Sequence, residues 1–122
     1  MKNQAYRMAM LYDFYGDMLT DRQKEFYDLY YNEDLSLSEI AENYGISRQG
    51  VRDVIVRAEA TLTELEDKTG IIRRFHVMQD QIKAVQSDVD AIRARNEQSY
   101  QDDEIENLTD RISSVLDQLK RE

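Results

Sequence analysis

The sequence predicts an all-α protein, and three observations carry that prediction. Its 122 residues include no proline and only 4 glycines, so little in the chain interrupts a helix. Apolar residues recur at steps of three and four, the spacing of one helical face, rather than in the alternation of a half-buried strand. Residues 36–54 carry, in order, a helix cap, a small residue, a glycine, a second cap and a second apolar face, which is the local chemistry of two helices joined by a tight turn.

Each element follows from its own signals. A first helix is predicted from Tyr6 to Leu19, with Met8, Leu11, Tyr12, Tyr15, Met18 and Leu19 on its apolar side. Thr20 caps a second helix, and Gln23 completes a capping box. Phe26, Leu29 and Tyr30 supply the core face of that helix, and Asn32, Glu33 and Asp34 form a short polar connection.

Ser36 and Glu39 make another capping box, in which the hydroxyl accepts the third helical N–H and the carboxylate reaches back to the cap N–H. Ile40, Ala41 and Tyr44 share the next buried face. Ala41 offers only a methyl group where two helices must cross closely. Gly45 stands where the chain turns sharply and needs a positive φ. Ile46 fills the space beneath the turn, and Ser47 is the second N-cap. Val51, Val54 and Ile55 continue the buried face.

This order of residues is a helix-turn-helix. Arg48, Gln49, Arg52 and Asp53 are left pointing outward at the start of the second helix, with Arg57 on the adjoining flank. Such positions of a recognition helix enter the major groove, where Arg suits guanine and Gln suits adenine. Together with Ser47 they form the candidate nucleic-acid or partner-binding set.

The second helix of the motif runs on through Ala58, Leu62 and Leu65. Lys68 in its last turn and Gly70 just beyond signal a stop; a kinked continuous helix is the other continuation the pattern allows. A helix-turn-helix domain is therefore expected over 1–70 and a C-terminal helical segment over 71–122.

In that segment Ile71, Phe75, Met78, Ile82, Val85, Val89 and Ile92 alternate steps of four and three. About three heptads of this kind are the minimum for a coiled coil. Asn96 occupies the next seam position, where it either ends the seam or sets its register. Residues 97–104 are polar and acidic, and a last helix shows Ile105, Leu108, Ile112, Val115 and Leu119 at the same spacing. Two narrow seams cannot be left in water, so they either fold back on each other or pair with a second chain. The length of the first seam favours a homodimer through its seven residues, with a self-contained intramolecular bundle as the alternative.

Charge argues against a strong nucleic-acid binder. The formal net charge is −9, whereas non-specific binding depends on neutralised phosphates. Residues 1–35 and 36–70 each carry four basic and seven acidic groups. Residues 71–95 carry five basic against three acidic, and the remainder three against eight. No strong basic face is visible, although Arg48, Arg52 and Arg57 make a local positive field.

Other function classes find no support. Cysteine is absent and His76 is the single histidine, so the usual sets of metal ligands are missing. The acids Asp102, Asp103, Glu104 and Glu106 read as a solvated face. Tyr12, Tyr15, Tyr27, Tyr30, Tyr31 and Tyr44 read as core with hydroxyls at the rim; stacking on RNA bases is their functional alternative. There is no phosphate-binding glycine loop and no nucleophile–base arrangement, so the expectation is a binding protein without cofactor rather than an enzyme. No apolar stretch approaches a membrane span and no signal-peptide segment opens the chain, which predicts a cytoplasmic protein.

Asp13-Phe14-Tyr15, the run Leu19 to Lys24, Leu29-Tyr30-Tyr31, the run Ser36 to Ala41, and Ser47-Arg48-Gln49 with Val51 and Asp53 together resemble the YlxM family of small helix-turn-helix proteins of Gram-positive bacteria. The resemblance runs from about Met8 to Leu65. More distantly the same stretch is similar to region 4 of sigma factors, which recognises promoter DNA. The family resemblance implies a regulatory role beside the signal recognition particle, with its GTPase, that GTPase's receptor or its RNA as partners. The reading from the residues adds a dimeric, sequence-specific DNA-binding transcription regulator as the alternative, with duplex DNA as partner. Two features depart from the family pattern. Gly50 stands in the first turn of the recognition helix, at an expected cost of about 0.5–1 kcal/mol relative to Ala, and the tail beyond Asn96 is longer than typical.

Overall fold

A computed structural model describes residues 5–121. They form six α-helices, and no strand occurs among the described residues. The helices are α1 (Ala5–Tyr15), α2 (Asp21–Tyr31), α3 (Leu37–Tyr44), α4 (Arg48–Thr69), α5 (Ile71–Arg95) and α6 (Asp103–Arg121). The fold is all-α, as the spacing predicts. Contacts divide it into two compact units, one running up to Ile72 and one starting at Arg73. Among the described residues no helix is long and apolar enough to cross a membrane.

In the first unit α4 is the central helix and packs against α1, α2 and α3. One part of the core joins Met8, Leu11, Tyr15, Leu19, Tyr27, Ala58 and Leu62. Another joins Phe26, Tyr30, Leu37, Ile40, Ala41, Val51 and Ile55. The predicted caps form. Thr20 Oγ1 accepts the Gln23 N–H while Gln23 Oε1 accepts the Thr20 N–H, and Ser36 and Glu39 exchange the same pair of bonds.

The first helix ends earlier than its periodicity suggests. A 3₁₀ turn over Gly16–Met18 follows Tyr15. This turn shifts the register by which Met18 would have joined the apolar face, and Met18 is left 68% exposed. Gly16 permits the turn, since a Cβ there would meet the Tyr12 ring at 3.2 Å. Leu19 still reaches the core.

Tyrosines knit the unit together. Tyr12 stacks on Tyr27 with ring centroids 5.5 Å apart, and the fully buried Tyr27 donates to the Met8 carbonyl at 2.6 Å. Tyr15 OH donates to Glu66 Oε1 at 2.7 Å and lies 2.6 Å from Thr69 Oγ1. Tyr31 donates to Glu59 and Tyr44 to Glu25. Burial raises the phenols of Tyr15, Tyr27 and Tyr31 above their ordinary range, and for Tyr31 the Glu59 carboxylate adds to the effect. Glu66 Oε1 also accepts the Ile72 N–H at 2.9 Å, so a single carboxylate ties the end of α4 to the first turn of α5. Gly70 takes φ +63° between the two helices. The predicted stop is thus a left-handed cap followed at once by a new helix.

The second unit is a helical hairpin. α5 and α6 run antiparallel, joined by Gln86 to Ser113 at 3.3 Å and by Arg93 to Asp110 and Ser113, each at 3.1 Å. A π-helical turn over Asn96–Tyr100 and Gln101 at φ +49° reverse the chain. Asn96 locks that reversal. Its Nδ2 donates to the Asp102 carbonyl and its Oδ1 accepts the Asp102 N–H, both at 2.9 Å. Asp102 in turn caps α6 by accepting the Glu104 and Ile105 N–H groups.

The expected seven-residue seam is therefore divided. Ile82 and Val89 are buried within their own chain, along a line that continues to Asn96 and faces Thr109 and Leu116. Phe75 is half-buried, while Ile71, Met78, Val85 and Ile92 remain exposed. Ile82 and Val89 accordingly serve the hairpin and are not free to serve a dimer in the way the bare heptad suggests. On α6 the expected row is displaced from the hairpin contact: the buried residues are Thr109 and Leu116, while Ile105 is half-buried and Leu108, Ile112, Val115 and Leu119 are exposed.

Candidate recognition surface

The turn of the helix-turn-helix is built from three residues. Gly45 adopts φ +66° and its N–H donates to the Ala41 carbonyl. The Ile46 N–H reaches the same carbonyl at 3.2 Å, the bond that closes a Schellman cap. Ile46 packs against the core beneath. Ser47 then opens α4, its Oγ accepting the Gly50 N–H at 2.9 Å. No capping box completes this end because the third helical residue is glycine instead of glutamate.

That cap also explains Gly50. A Cβ at this position would stand 3.1 Å from Ser47 Oγ, so glycine lets the hydroxyl sit close over the first turn. Reading Gly50 only as a weak helix former misses this contact.

All six residues of the candidate set are exposed, Ser47 at the N-cap and the other five on the N-terminal half of α4. Val51 and Ile55 are fully buried on the opposite side, which fixes the rotation of the helix and turns Arg48, Gln49, Arg52, Asp53 and Arg57 outward. Gln49 Nε2 donates to Asp53 Oδ1 at 2.9 Å, which orients that amide along the helix and leaves its carbonyl oxygen unused by this bond. No ion pair engages Arg48, Arg52 or Arg57 among the described residues. Three guanidiniums thus offer planar, multiply donating groups suited to carboxylates, phosphates or guanine edges. Exposed acids are also present nearby in the sequence, with Glu39 and Glu42 on α3 and Asp53 on α4 itself.

Val56 was missed at the level of sequence. It is 37% exposed and stands four residues after Arg52, on the same side of α4. An apolar group there contacts a thymine methyl or an apolar partner equally well. The four-residue spacing of Arg52 and Val56 was the available signal.

The alternative roles of the other singled-out residues find little in the geometry. The six tyrosines are buried or half-buried and present no free stacking platform. His76 is exposed on α5. Among the described residues no group of three or more His, Cys, Asp or Glu is placed to hold a metal ion.

Fold and surface together define a helix-turn-helix protein whose recognition helix presents a polar face that packing does not use. The chain belongs to the UPF0122 family, described as "Putative helix-turn-helix protein, YlxM / p13 like", whose pattern matches residues 2–103. That description is of a helix-turn-helix protein and not of an enzyme. A UPF0122 protein of Thermoanaerobacter sp. (strain X514) is 38% identical over 112 residues, covering 92% of each chain. One of Desulforamulus reducens is 51% identical over 72 residues, 59% of this chain and 62% of the relative. One of Acetivibrio thermocellus is 44% identical over 90 residues, 74% and 77% of the two chains. The YlxM resemblance read from the residues is thus the family itself, and the match extends beyond Leu65 through α5. The family pattern ends where α6 begins.

Proposed function

We propose that this chain is a regulatory helix-turn-helix binding protein of the signal recognition particle pathway, acting in the cytoplasm. Its first turns of α4 contact the pathway's GTPase, that GTPase's receptor or the particle's RNA. The observation that carries the reading is the row of exposed arginines, Arg48, Arg52 and Arg57, which no ion pair engages among the described residues. They stand on a helix face that packing leaves free. A net charge of −9 favours a partner with a basic surface of its own, while the arginines supply directed contacts within that encounter. The pathway itself comes from the family resemblance.

The test is capture of purified GTPase, receptor and RNA by the intact chain. Capture of one of them, lost in the double variant Arg48→Ala and Arg52→Ala, is the expected result. Failure to capture any of the three would sink the pathway reading, and undiminished capture by the variant would move the contact away from α4.

A second reading is a dimeric, sequence-specific DNA-binding transcription regulator. Its support is the placing of Arg48, Gln49 and Arg52 at the outward start of the recognition helix, where such helices meet base edges. Duplex binding at two salt concentrations decides it. A regulator keeps tight binding to some sequence and loses affinity steeply as salt rises. A chain that retains no DNA even at low salt is not one.

A further inference from the structure

The hairpin leaves one face unfinished. Met78, Val85 and Ile92 on α5 and Leu108, Ile112, Val115 and Leu119 on α6 are between 42% and 51% exposed. On α5 they recur every seven residues, three positions after the inward line of Phe75, Ile82 and Val89. On α6, Ile112 and Leu119 stand three positions after the buried Thr109 and Leu116, and Leu108 and Val115 stand one position before them. Because the helices are antiparallel, these offsets turn both stripes to the same side of the hairpin. The polar bridges from Gln86 and Arg93 to Asp110 and Ser113 lie along the other edge. One face is thus apolar and the opposite edge hydrogen-bonded.

Inside, the hairpin buries only three large apolar residues among those described, Ile82, Val89 and Leu116. Two helices sharing so small a core need a second layer.

We infer that a second copy of this chain supplies that layer, so that two α5–α6 hairpins meet face to face as a four-helix bundle. Charge selects the copy and its orientation. α5 carries five basic and three acidic residues, whereas residues 103–120 of α6 carry five acidic and two basic. A two-fold axis parallel to the helices sets α5 of each chain beside α6 of the other, opposing excess charges and keeping every neighbour antiparallel. The alternative axis, across the helices, would set α5 on α5 and α6 on α6 and oppose like excesses. The surface is therefore complementary to itself in one orientation, the requirement of a closed two-fold interface. Its extent is sufficient. At 1.5 Å per residue α6 is about 28 Å long, and two helices side by side span about 20 Å, giving about 560 Å² per chain and about 1,100 Å² in all, above the minimum of about 1,000 Å² that a specific interface must clear.

This inference refines the homodimer read from the heptads by replacing a seam along α5 alone with a face shared by α5 and α6. It stands apart from the pathway reading, because it concerns the purified chain without any partner.

Sedimentation of the full chain tests it, and the expected species has twice the mass of the 14.4 kDa monomer. Val85→Glu and Ile112→Glu each place a charge at the centre of the face, at positions exposed enough for the monomer to tolerate them. Both are expected to sediment as folded monomers. Because the chain has no cysteine, disulfide trapping gives an independent readout that does not depend on those variants folding. A mixture of Val85→Cys chains with Val115→Cys chains is expected to form a cross-linked heterodimer, while neither variant links efficiently to itself. A monomeric wild-type chain at high micromolar concentration would overturn the proposal and leave the face to a different partner. Dimers that persist in both glutamate variants would place the interface elsewhere. Self-linking of Val85→Cys without the mixed product would overturn the pairing of α5 with α6.

Discussion

Among the described residues, fourteen buried apolar residues lie in the helix-turn-helix unit and three in the α5–α6 hairpin, although the two regions are built from similarly patterned helices. In the first region α4 touches three other helices, so each apolar stripe finds a layer to pack on. In the hairpin each helix has one neighbour, and a stripe two residues wide is only half covered. Apolar periodicity alone therefore does not say how much burial a helix achieves; the number of surrounding helices does. The regions differ chemically as well. The first is laced by tyrosine hydroxyls on carboxylates and a carbonyl, whereas the hairpin holds together through Asn96, Arg93 and Gln86.

Alkaline pH should separate the regions most strongly. Tyr15, Tyr27 and Tyr31 titrate above their ordinary value of 10.0 in the folded unit, so the unfolded chain releases these protons first. Their contribution to stability is complete below pH 10 and is lost as the pH rises through the folded values. The hairpin's one tyrosine, Tyr100, is exposed. The expected outcome is loss of the helix-turn-helix unit well above pH 10 with hairpin helicity retained, followed by circular dichroism together with tyrosinate absorbance. Simultaneous loss of both regions would show that they unfold as one.

Next in size comes a pair of truncations. Leu62 is fully buried, and Leu62→Ala should cost about 2–5 kcal/mol in urea denaturation. Met78 is 51% exposed, and Met78→Ala should cost under about 1 kcal/mol in the monomer, the cost rising with protein concentration as the bundle forms. A penalty at Met78 equal to that at Leu62 at every concentration would erase the contrast between a closed core and an open face.

Asn96→Ala removes both bonds to Asp102 and should cost the hairpin about 1–3 kcal/mol. Hydrogen exchange is the suitable measurement, with faster exchange expected at the start of α6 and unchanged protection in α4. Gly50→Ala is the smallest change. The gain in helix propensity, about 0.5–1 kcal/mol, is opposed by the 3.1 Å approach to Ser47 Oγ. Thermal melting should move by no more than the equivalent of about 0.5 kcal/mol. A gain of the full propensity difference would mean that the serine cap yields without cost.

Much of the first region was legible because its signals are local. Thr20 with Gln23, Ser36 with Glu39, Gly45 and Ser47 each act within four residues of themselves, so reading them needs no knowledge of the rest of the chain. The outward position of Arg48, Gln49 and Arg52 followed from Val51 and Ile55 by the same short-range geometry. Met18 was misread because a helix end cannot be located from periodicity that a 3₁₀ turn interrupts. Val56 was missed because exposure of a valine depends on how far α1 and α2 extend over α4.

The chain's own residues thus determined where helices start, where they stop and which side of α4 is polar, since caps, glycine turns and helical spacing are properties of a few neighbouring residues. Only the tertiary structure decided how the heptads of α5 are shared. Ile82 and Val89 turn toward α6 while Met78, Val85 and Ile92 do not, because a stripe of that width can face either of two neighbours. Asn96 and Asp102 settle the choice by fixing where the chain reverses and so which edge of each helix meets the other.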